Sequence, residues 1–235
     1  MQKIKYRNLL DSLEQSSYRN RTQTLCCFSA QKGVFYNNNL MVVGRAVNDW
    51  NGEFQLDNIQ AELLLEKLFP SSSPPNCPLE WVESSWGSSD GYNTKKSAFW
   101  RVIRELSLNV NKLDPHDRWA ARLVWSNLYK IAPSSGGNPS DSLSGCQFDA
   151  CNNLLKAEIE EFQPKCIVFL TGINWFDGFL SENIALKATS GTKWVDASGV
   201  LNLNGLASKV VIAKHPQGKP ESELLNEIIE TLVEA

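Results

Sequence analysis

Four short apolar segments, separated by stretches with helical periodicity, limit the possible folds of this chain more than any other feature. The segments are LMVVG, RLVWSNLYKI, CIVFLTG and KVVIAKHP, which begin at Leu40, Arg122, Cys166 and Lys209. Apolar runs of this length are typical of buried strands. Parallel strands need helical crossovers that cover both faces of their sheet. The alternation therefore predicts a three-layer α/β/α sandwich with a central, mostly parallel four-stranded sheet.

The apolar residues between these segments recur at the spacing of a helix face. This spacing predicts helices over residues 63–69, 97–108, 148–162, 174–180 and 224–232. The segment TKWVDASGVLNL, from Thr192, alternates more weakly and predicts either a hairpin or an excursion at the sheet edge. Residues 71–92 and 132–145 are rich in Ser, Pro and Gly and are predicted to be loops. We expect one domain over residues 1–235, with a helical or extended lead-in over residues 1–30.

The net charge of −3 argues against a protein that binds nucleic acid through an overall basic surface, because neutralisation of phosphates drives such binding. A nucleic-acid function therefore requires a local basic patch. The best candidate surrounds a predicted helix start at Ser97 and contains Lys95, Lys96, Arg101 and Arg104. Backbone N–H groups at that helix start could receive a phosphate. A solvated helix end with ordinary surface charge is an equally good interpretation.

The six cysteines form no CxxC pair, so neither a zinc site nor a redox motif has its usual spacing. Cys146 and Cys151 could help to hold a cluster, but buried or idle thiols of an intracellular protein are the better interpretation. The charged N-terminal segment lacks a signal-peptide pattern. No apolar run approaches the roughly 18–20 residues of a membrane span. We expect a soluble, cytoplasmic protein with no metal site.

Polar residues lie at the end of each predicted strand, in the stretches GRAVNDW, SNLYK, TGINW and KHPQGKP. In an open α/β sheet, ligands bind at the carboxyl ends of the strands. Taken alone, a glycine turn, a strand-end asparagine or a His-Pro exit from a strand is more often structural than catalytic. Four such ends on one edge of a sheet predict a functional site.

The order of these motifs resembles the uracil-DNA glycosylase superfamily. The motifs are a glycine turn at Gly44, the strand-end Asn127, an apolar strand with Thr-Gly, and a late His-Pro at His215. The resemblance extends from about Leu40 to the C-terminus, and its motifs are short. It implies a compact α/β/α domain that works as a monomer without a cofactor. Such an enzyme flips a damaged base, such as uracil, out of single- or double-stranded DNA and hydrolyses the N-glycosidic bond.

The resemblance also implies roles for individual residues. Asn127 would read the base edge, since an amide offers a donor and an acceptor together. His215 would donate a hydrogen bond to the departing base anion. Phe54 is the best candidate for stacking on the base, and Trp50 is its competitor. The residues expected to contact the nucleic acid are Lys95, Lys96, Ser97, Lys214, Gln217 and Lys219.

The first motif departs from the family pattern. Family members carry a catalytic carboxylate or amide where Arg45 or Ala46 follows Gly44, and neither of these side chains can position a water molecule as a base. Asn48 or Asp49 could take the catalytic role, with Gly44 and Arg45 contacting the substrate. The alternative is a catalytically impaired module of the same fold that binds nucleic acid or a free nucleobase.

Two other classes of protein have little support. The iron–sulfur branches of the superfamily begin from a cysteine pair with a short gap, which the adjacent Cys26 and Cys27 lack, so we predict no cluster. A small-molecule hydrolase with a GxSxG elbow or a phosphate-binding glycine loop finds no matching motif in the sequence. His116 and His215 are the only histidines, which argues against a histidine-rich metal site.

Overall fold

The computed structural model describes residues 1–48, 50, 52–70 and 76–234. The helices of this part of the chain are α1 (Gln2–Gln15), α2 (Ala61–Leu68), α3 (Glu80–Ser84), α4 (Ala98–Asn111), α5 (Asp141–Phe162), α6 (Ile173–Phe176) and α7 (Glu221–Glu234). Its strands are β1 (Leu25–Cys27), β2 (Gln31–Lys32), β3 (Leu40–Gly44), β4 (Glu53–Phe54), β5 (Leu123–Asn127), β6 (Ile131–Pro133), β7 (Cys166–Leu170), β8 (Ile184–Ala188), β9 (Val195–Leu203) and β10 (Leu206–Ala213). None of the described helices has both the length and the apolar composition needed to cross a membrane.

These elements form two compact units, each built from three separate stretches of the chain. The first unit comprises Met1–Ala30, Arg45–Pro74 and Asn127–Glu161. It holds a small antiparallel sheet with the strand order β4-β1-β6. The predicted lead-in contains α1 and β1 and supplies core residues of this unit, because Leu9, Leu10 and Leu13 of α1 are buried. The second unit comprises Gln31–Gly44, Pro75–Ser126 and Phe162–Ala235 and contains the large sheet.

The large sheet has seven strands in the order β2-β5-β3-β7-β10-β9-β8, so the prediction of four strands is wrong. The four predicted strands form its centre, where β3, β7 and β10 are parallel neighbours. The additional strands β2, β9 and β8 pair in antiparallel fashion towards the two edges. The fold is therefore α/β, as expected, but the sheet is larger and mixed.

The additional strands escaped prediction because they lack a continuous apolar run. β8 has no fully buried residue, and β9 alternates between buried and more exposed positions. A strand with one solvated face shows alternation rather than an apolar run. β9 and β10 are joined through Asn204 and Gly205, whose φ angles of 47° and 86° suit a two-residue type I′ turn. The segment from Thr192 therefore contains a single strand, β9, which pairs with both β8 and β10 towards the sheet edge.

The segment RLVWSNLYKI, predicted as one strand, contains two. β5 ends at Asn127 in the large sheet, and β6 begins at Ile131 and pairs with β1 in the small sheet. Between them the chain turns, and Lys130 Nζ donates a hydrogen bond to the Asn127 carbonyl over 2.7 Å. Leu128 within the turn is fully buried. Apolar character therefore continues through the break, which hides it from a periodicity argument.

The predicted helices are present with shifted ends. α5 begins at Asp141, well before residue 148, because the Ser140 hydroxyl accepts a hydrogen bond from the Leu143 N–H and caps the helix. The predicted loop 132–145 is therefore partly helical. The predicted loop 71–92 contains α3, and its residues 71–75 lie outside the described part of the chain.

Candidate functional site

Three of the predicted strand ends meet at one edge of the large sheet. β3, β7 and β10 are adjacent and parallel, so their carboxyl ends lie side by side. The Gly172 N–H donates to the Ala213 carbonyl over 2.8 Å, which ties the turn after β7 to the end of β10. Gly44, Gly172 and His215 therefore belong to the same edge of the second unit.

His215 follows the end of β10 and is half-buried. Its ring stacks on Phe99 of α4, with centroids 6.0 Å apart and planes inclined by 12°. Its Nδ1 accepts a hydrogen bond from the Gln217 N–H over 3.2 Å. A neutral imidazole that accepts at Nδ1 carries its proton on Nε2. Nε2 of His215 is thus the hydrogen-bond donor of the ring.

Lys214 is held by an acidic residue that the sequence did not single out. Its Nζ lies 3.2 Å from an Asp196 carboxylate oxygen and donates to the Lys193 carbonyl over 2.8 Å. The second oxygen of Asp196 accepts from the Ile173 N–H over 3.0 Å. Asp196 lies where the β9–β10 register shifts, and such bulges re-aim side chains. The predicted DNA contact Lys214 therefore supports the edge through an intramolecular ion pair. The sequence signal that could have identified Asp196 is an acidic residue within a segment of alternating polarity.

The start of β9 is anchored to α7 next to this edge. The Glu227 carboxylate accepts hydrogen bonds from three successive N–H groups, those of Lys193, Trp194 and Val195. The Trp194 ring lies under the Lys193 ammonium at 4.6 Å and the Lys219 ammonium at 5.9 Å. Of the predicted nucleic-acid contacts, Lys219 is therefore arranged over an aromatic face, and Gln217 is exposed.

The predicted basic patch before α4 is smaller than its sequence suggests. Arg101 donates to Glu221 of α7 over 2.8 and 2.5 Å, and Arg104 pairs with Glu105. Lys95 and Lys96 are exposed, and no carboxylate of the described residues pairs with them. Ser97 lies at the N-terminus of α4 without a side-chain cap. The available positive charge is thus confined to the two lysines before the helix.

A groove of about 300 Å³ lies between α4 and α7 in the same unit. Its lining is mostly apolar, and the Arg101–Glu221 ion pair forms its polar part. The lining residues are Trp86, Arg101, Val102, Glu105, Glu221, Ser222 and Leu225. The groove was not predictable from the sequence, because its two walls come from helices far apart in the chain.

Two of the predicted substrate contacts lie in the first unit beside a shared turn. Asn127, the last residue of β5, is only 1% exposed. Arg45 is half-buried, and burial lowers the pKa of its guanidinium. The Arg45 carbonyl accepts from the Tyr129 N–H over 2.9 Å, two residues after Asn127. The backbone of the first motif therefore supports the turn that follows Asn127.

The other predicted residues of the first unit differ in accessibility. The Asn48 amide oxygen accepts from the Gly137 N–H over 2.6 Å, which commits it to the turn after β6. Phe54 is 7% exposed and pairs with Leu25 in the small sheet. Trp50 is half-buried, and its ring packs edge-on against Phe28. Trp50 is therefore the more accessible of the two stacking candidates. Asp49 lies outside the described residues.

A buried ion pair in the first unit was missed. Lys130 and Glu158 have side chains that are 0% and 1% exposed, and Lys130 Nζ lies 2.8 Å from each Glu158 oxygen. The signal was present in the sequence. Lys130 interrupts an apolar run, and Glu158 falls on the helical face that carries Cys151 and Phe162.

The cysteines of the described chain are all free thiols. Burial raises the pKa of Cys27 and Cys151 to about 12. Cys151 is fully buried, whereas Cys146 is half-buried. Within the described ranges, no three His, Cys, Asp or Glu side chains are grouped so that they could hold a metal ion.

The sequence matches no protein-family model, and no curated protein matches it either.

Proposed function

We propose that this chain is a DNA glycosylase-like hydrolase that flips out and excises a damaged base such as uracil. His215 carries the proposal. It lies at the carboxyl edge of parallel strands, where α/β proteins bind ligands, and its Nδ1 is occupied by the Gln217 N–H. A donor at Nε2 suits the negative charge that collects on a base when its glycosidic bond breaks.

The other parts of the reaction are assigned by residue type. Asn127 would read the base edge through its amide, and Trp50 would offer an aromatic face. Asp49 is the carboxylate proposed to position the attacking water, since the Asn48 oxygen already accepts a backbone hydrogen bond. Lys95, Lys96 and Lys219 would contact phosphates, with DNA as the macromolecular partner.

The test is a single-turnover assay with the protein in excess over uracil- or hypoxanthine-containing oligonucleotides, followed by alkali. We expect strand cleavage with the wild type and at least about a hundredfold slower excision with His215→Ala, the usual cost of removing a donor to a developing anion. His116→Ala is the matched control, because His116 is the other histidine and is exposed in a loop. The proposal would be refuted if the wild type cleaved no strand, or if His215→Ala excised the base at the same rate as the wild type.

Two observations favour a second function without catalysis. The Asn48 amide oxygen is already occupied by a backbone hydrogen bond, and Arg45 stands at the position of the usual catalytic group. This second function is that of a binding module that holds nucleic acid or a free nucleobase without chemistry. Fluorescence anisotropy with labelled single- and double-stranded oligonucleotides separates the two functions. Binding weakened by His215→Ala, with no base released over long incubation, supports the module.

A further inference from the structure

The Lys130–Glu158 pair is enclosed in the core of the first unit. Lys130 Nζ contacts both Glu158 oxygens at 2.8 Å and donates to the Asn127 carbonyl at 2.7 Å. The Phe28 ring lies 5.9 Å from the same ammonium. Three oxygen atoms therefore lie within 2.8 Å of the ammonium nitrogen, and one of them is the backbone carbonyl of the strand-end asparagine.

Stability alone is a poor reason to keep such a pair. Removing two charges from water carries a large desolvation cost, and replacing a buried pair with apolar side chains is often neutral or stabilising. Removing only one partner is costly, because it leaves an uncompensated buried charge. Because such a pair adds little net stability, its presence points to a role other than stabilising the fold.

The surrounding hydrogen bonds show which part of the backbone the pair controls. The Tyr129 N–H donates to the Arg45 carbonyl over 2.9 Å. The Lys130 carbonyl accepts from the Phe28 N–H over 2.9 Å and from the Tyr6 hydroxyl. The turn from Asn127 to Lys130 is thus held by backbone hydrogen bonds to Arg45 and Phe28. The Lys130 ammonium adds a hydrogen bond across the turn to the Asn127 carbonyl.

We propose that Lys130 and Glu158 are positioning residues that hold Asn127 in the orientation needed to read a nucleobase. The proposal rests on the function proposed above. Lys130 touches no substrate and acts through the Asn127 carbonyl, and Glu158 holds the ammonium in place. A hydrogen-bonding amide must be placed to within a fraction of an ångström to discriminate between bases.

The decisive variant is Lys130→Met/Glu158→Leu, which removes both charges at similar volume. We expect a thermal midpoint within about 4 °C of the wild type. We also expect a loss of kcat/KM on uracil of about tenfold to a hundredfold, with a smaller ratio of uracil to cytosine excision. If the pair were purely structural, kcat/KM would fall only as far as the thermal midpoint falls. Unchanged kcat/KM and discrimination in the double variant would overturn the proposal.

The matched control is Lys3→Met/Glu66→Leu, which makes the same substitutions in an exposed pair of the same unit. A second readout needs no substrate. The side-chain amide resonance of Asn127, assigned from Asn127→Asp, should shift or broaden in the Lys130→Met/Glu158→Leu variant and not in the control. An unaltered resonance overturns the positioning role even if the wild type excises no base. If the wild type excises no base but the Asn127 resonance is altered in the double variant, only the proposed function is rejected.

Discussion

His215 and Asn48 show how one backbone N–H group defines what a polar side chain can do. The Gln217 N–H occupies Nδ1 of His215, which places the ring proton on Nε2. The Gly137 N–H occupies the amide oxygen of Asn48. Both residues were candidates for catalysis from their sequence positions. Their hydrogen bonds prepare the histidine as a donor and commit the asparagine oxygen to holding a turn.

Asn48→Ala tests this assignment. We expect it to lower the free energy of unfolding by about 1 kcal/mol, because the Gly137 N–H loses its acceptor. Asn48→Asp should recover most of that loss, since a carboxylate also accepts. Urea denaturation measures both variants, and Asn58→Ala, at an exposed position of the same unit, is the control. A large loss of excision rate with unchanged stability would show instead that Asn48 positions the water.

Among the elements, α7 and the start of β9 are joined by a single carboxylate. Glu227 accepts hydrogen bonds from three consecutive backbone N–H groups at the start of β9. The same strand carries Asp196, which holds Lys214 beside His215. The terminal helix therefore helps to fix the edge that carries the proposed donor.

Glu227→Ala should lower the free energy of unfolding by about 2 kcal/mol, because charge-assisted hydrogen bonds are lost at a half-buried site. Amide hydrogen exchange at Lys193, Trp194 and Val195 should accelerate before that of the core strands. Glu230→Ala is the matched control, one turn further along α7 and exposed. Equal protection in Glu227→Ala and wild type would contradict the anchoring role.

For the molecule as a whole, two buried thiols contribute to the loss of stability at alkaline pH. Burial raises the pKa of Cys27 and Cys151 to about 12 in the folded state, and unfolding returns them to the ordinary thiol value near 8.5. A raised pKa means that the folded state retains protons that the unfolded state releases. The contribution is complete below the unfolded pKa and is lost as pH rises towards the folded pKa.

Stability should therefore fall above about pH 9, by up to about 1.4 kcal/mol per pH unit for each thiol. Urea midpoints at pH 8 and pH 10 measure the effect. The Cys27→Ala/Cys151→Ala variant should show a flatter dependence, although it is less stable at pH 8. Cys146→Ala, which removes a half-buried thiol, is the comparison variant. An equally steep decline in the double variant would contradict this origin.

The centre of the large sheet was predictable because burial on both faces affects every residue of a strand. β3 is buried throughout, and β7 and β10 are apolar over most of their length. β8 and β9 lie towards an edge, where partial solvation removes that signal. The break between β5 and β6 was hidden for the opposite reason, since the turn between them is buried as well.

Local periodicity was sufficient to locate the ends of β3, β7 and β10, and so to nominate Gly44 and His215, because burial repeats along the chain at the period of each element. Asn127 was nominated by its place in the order of motifs, since periodicity did not show that β5 ends there. The chemical state of each candidate depended on partners that local periodicity does not encode. Arg101 meets Glu221, Asn48 meets Gly137, and Lys130 meets Glu158 only when distant segments pack together. The first contact reduces the basic patch to two lysines. The second engages the amide oxygen of an expected catalytic residue. The third holds the Lys130 ammonium against the Asn127 carbonyl. Hydrogen bonds and ion pairs act over a few ångströms of space, so tertiary packing selects their partners.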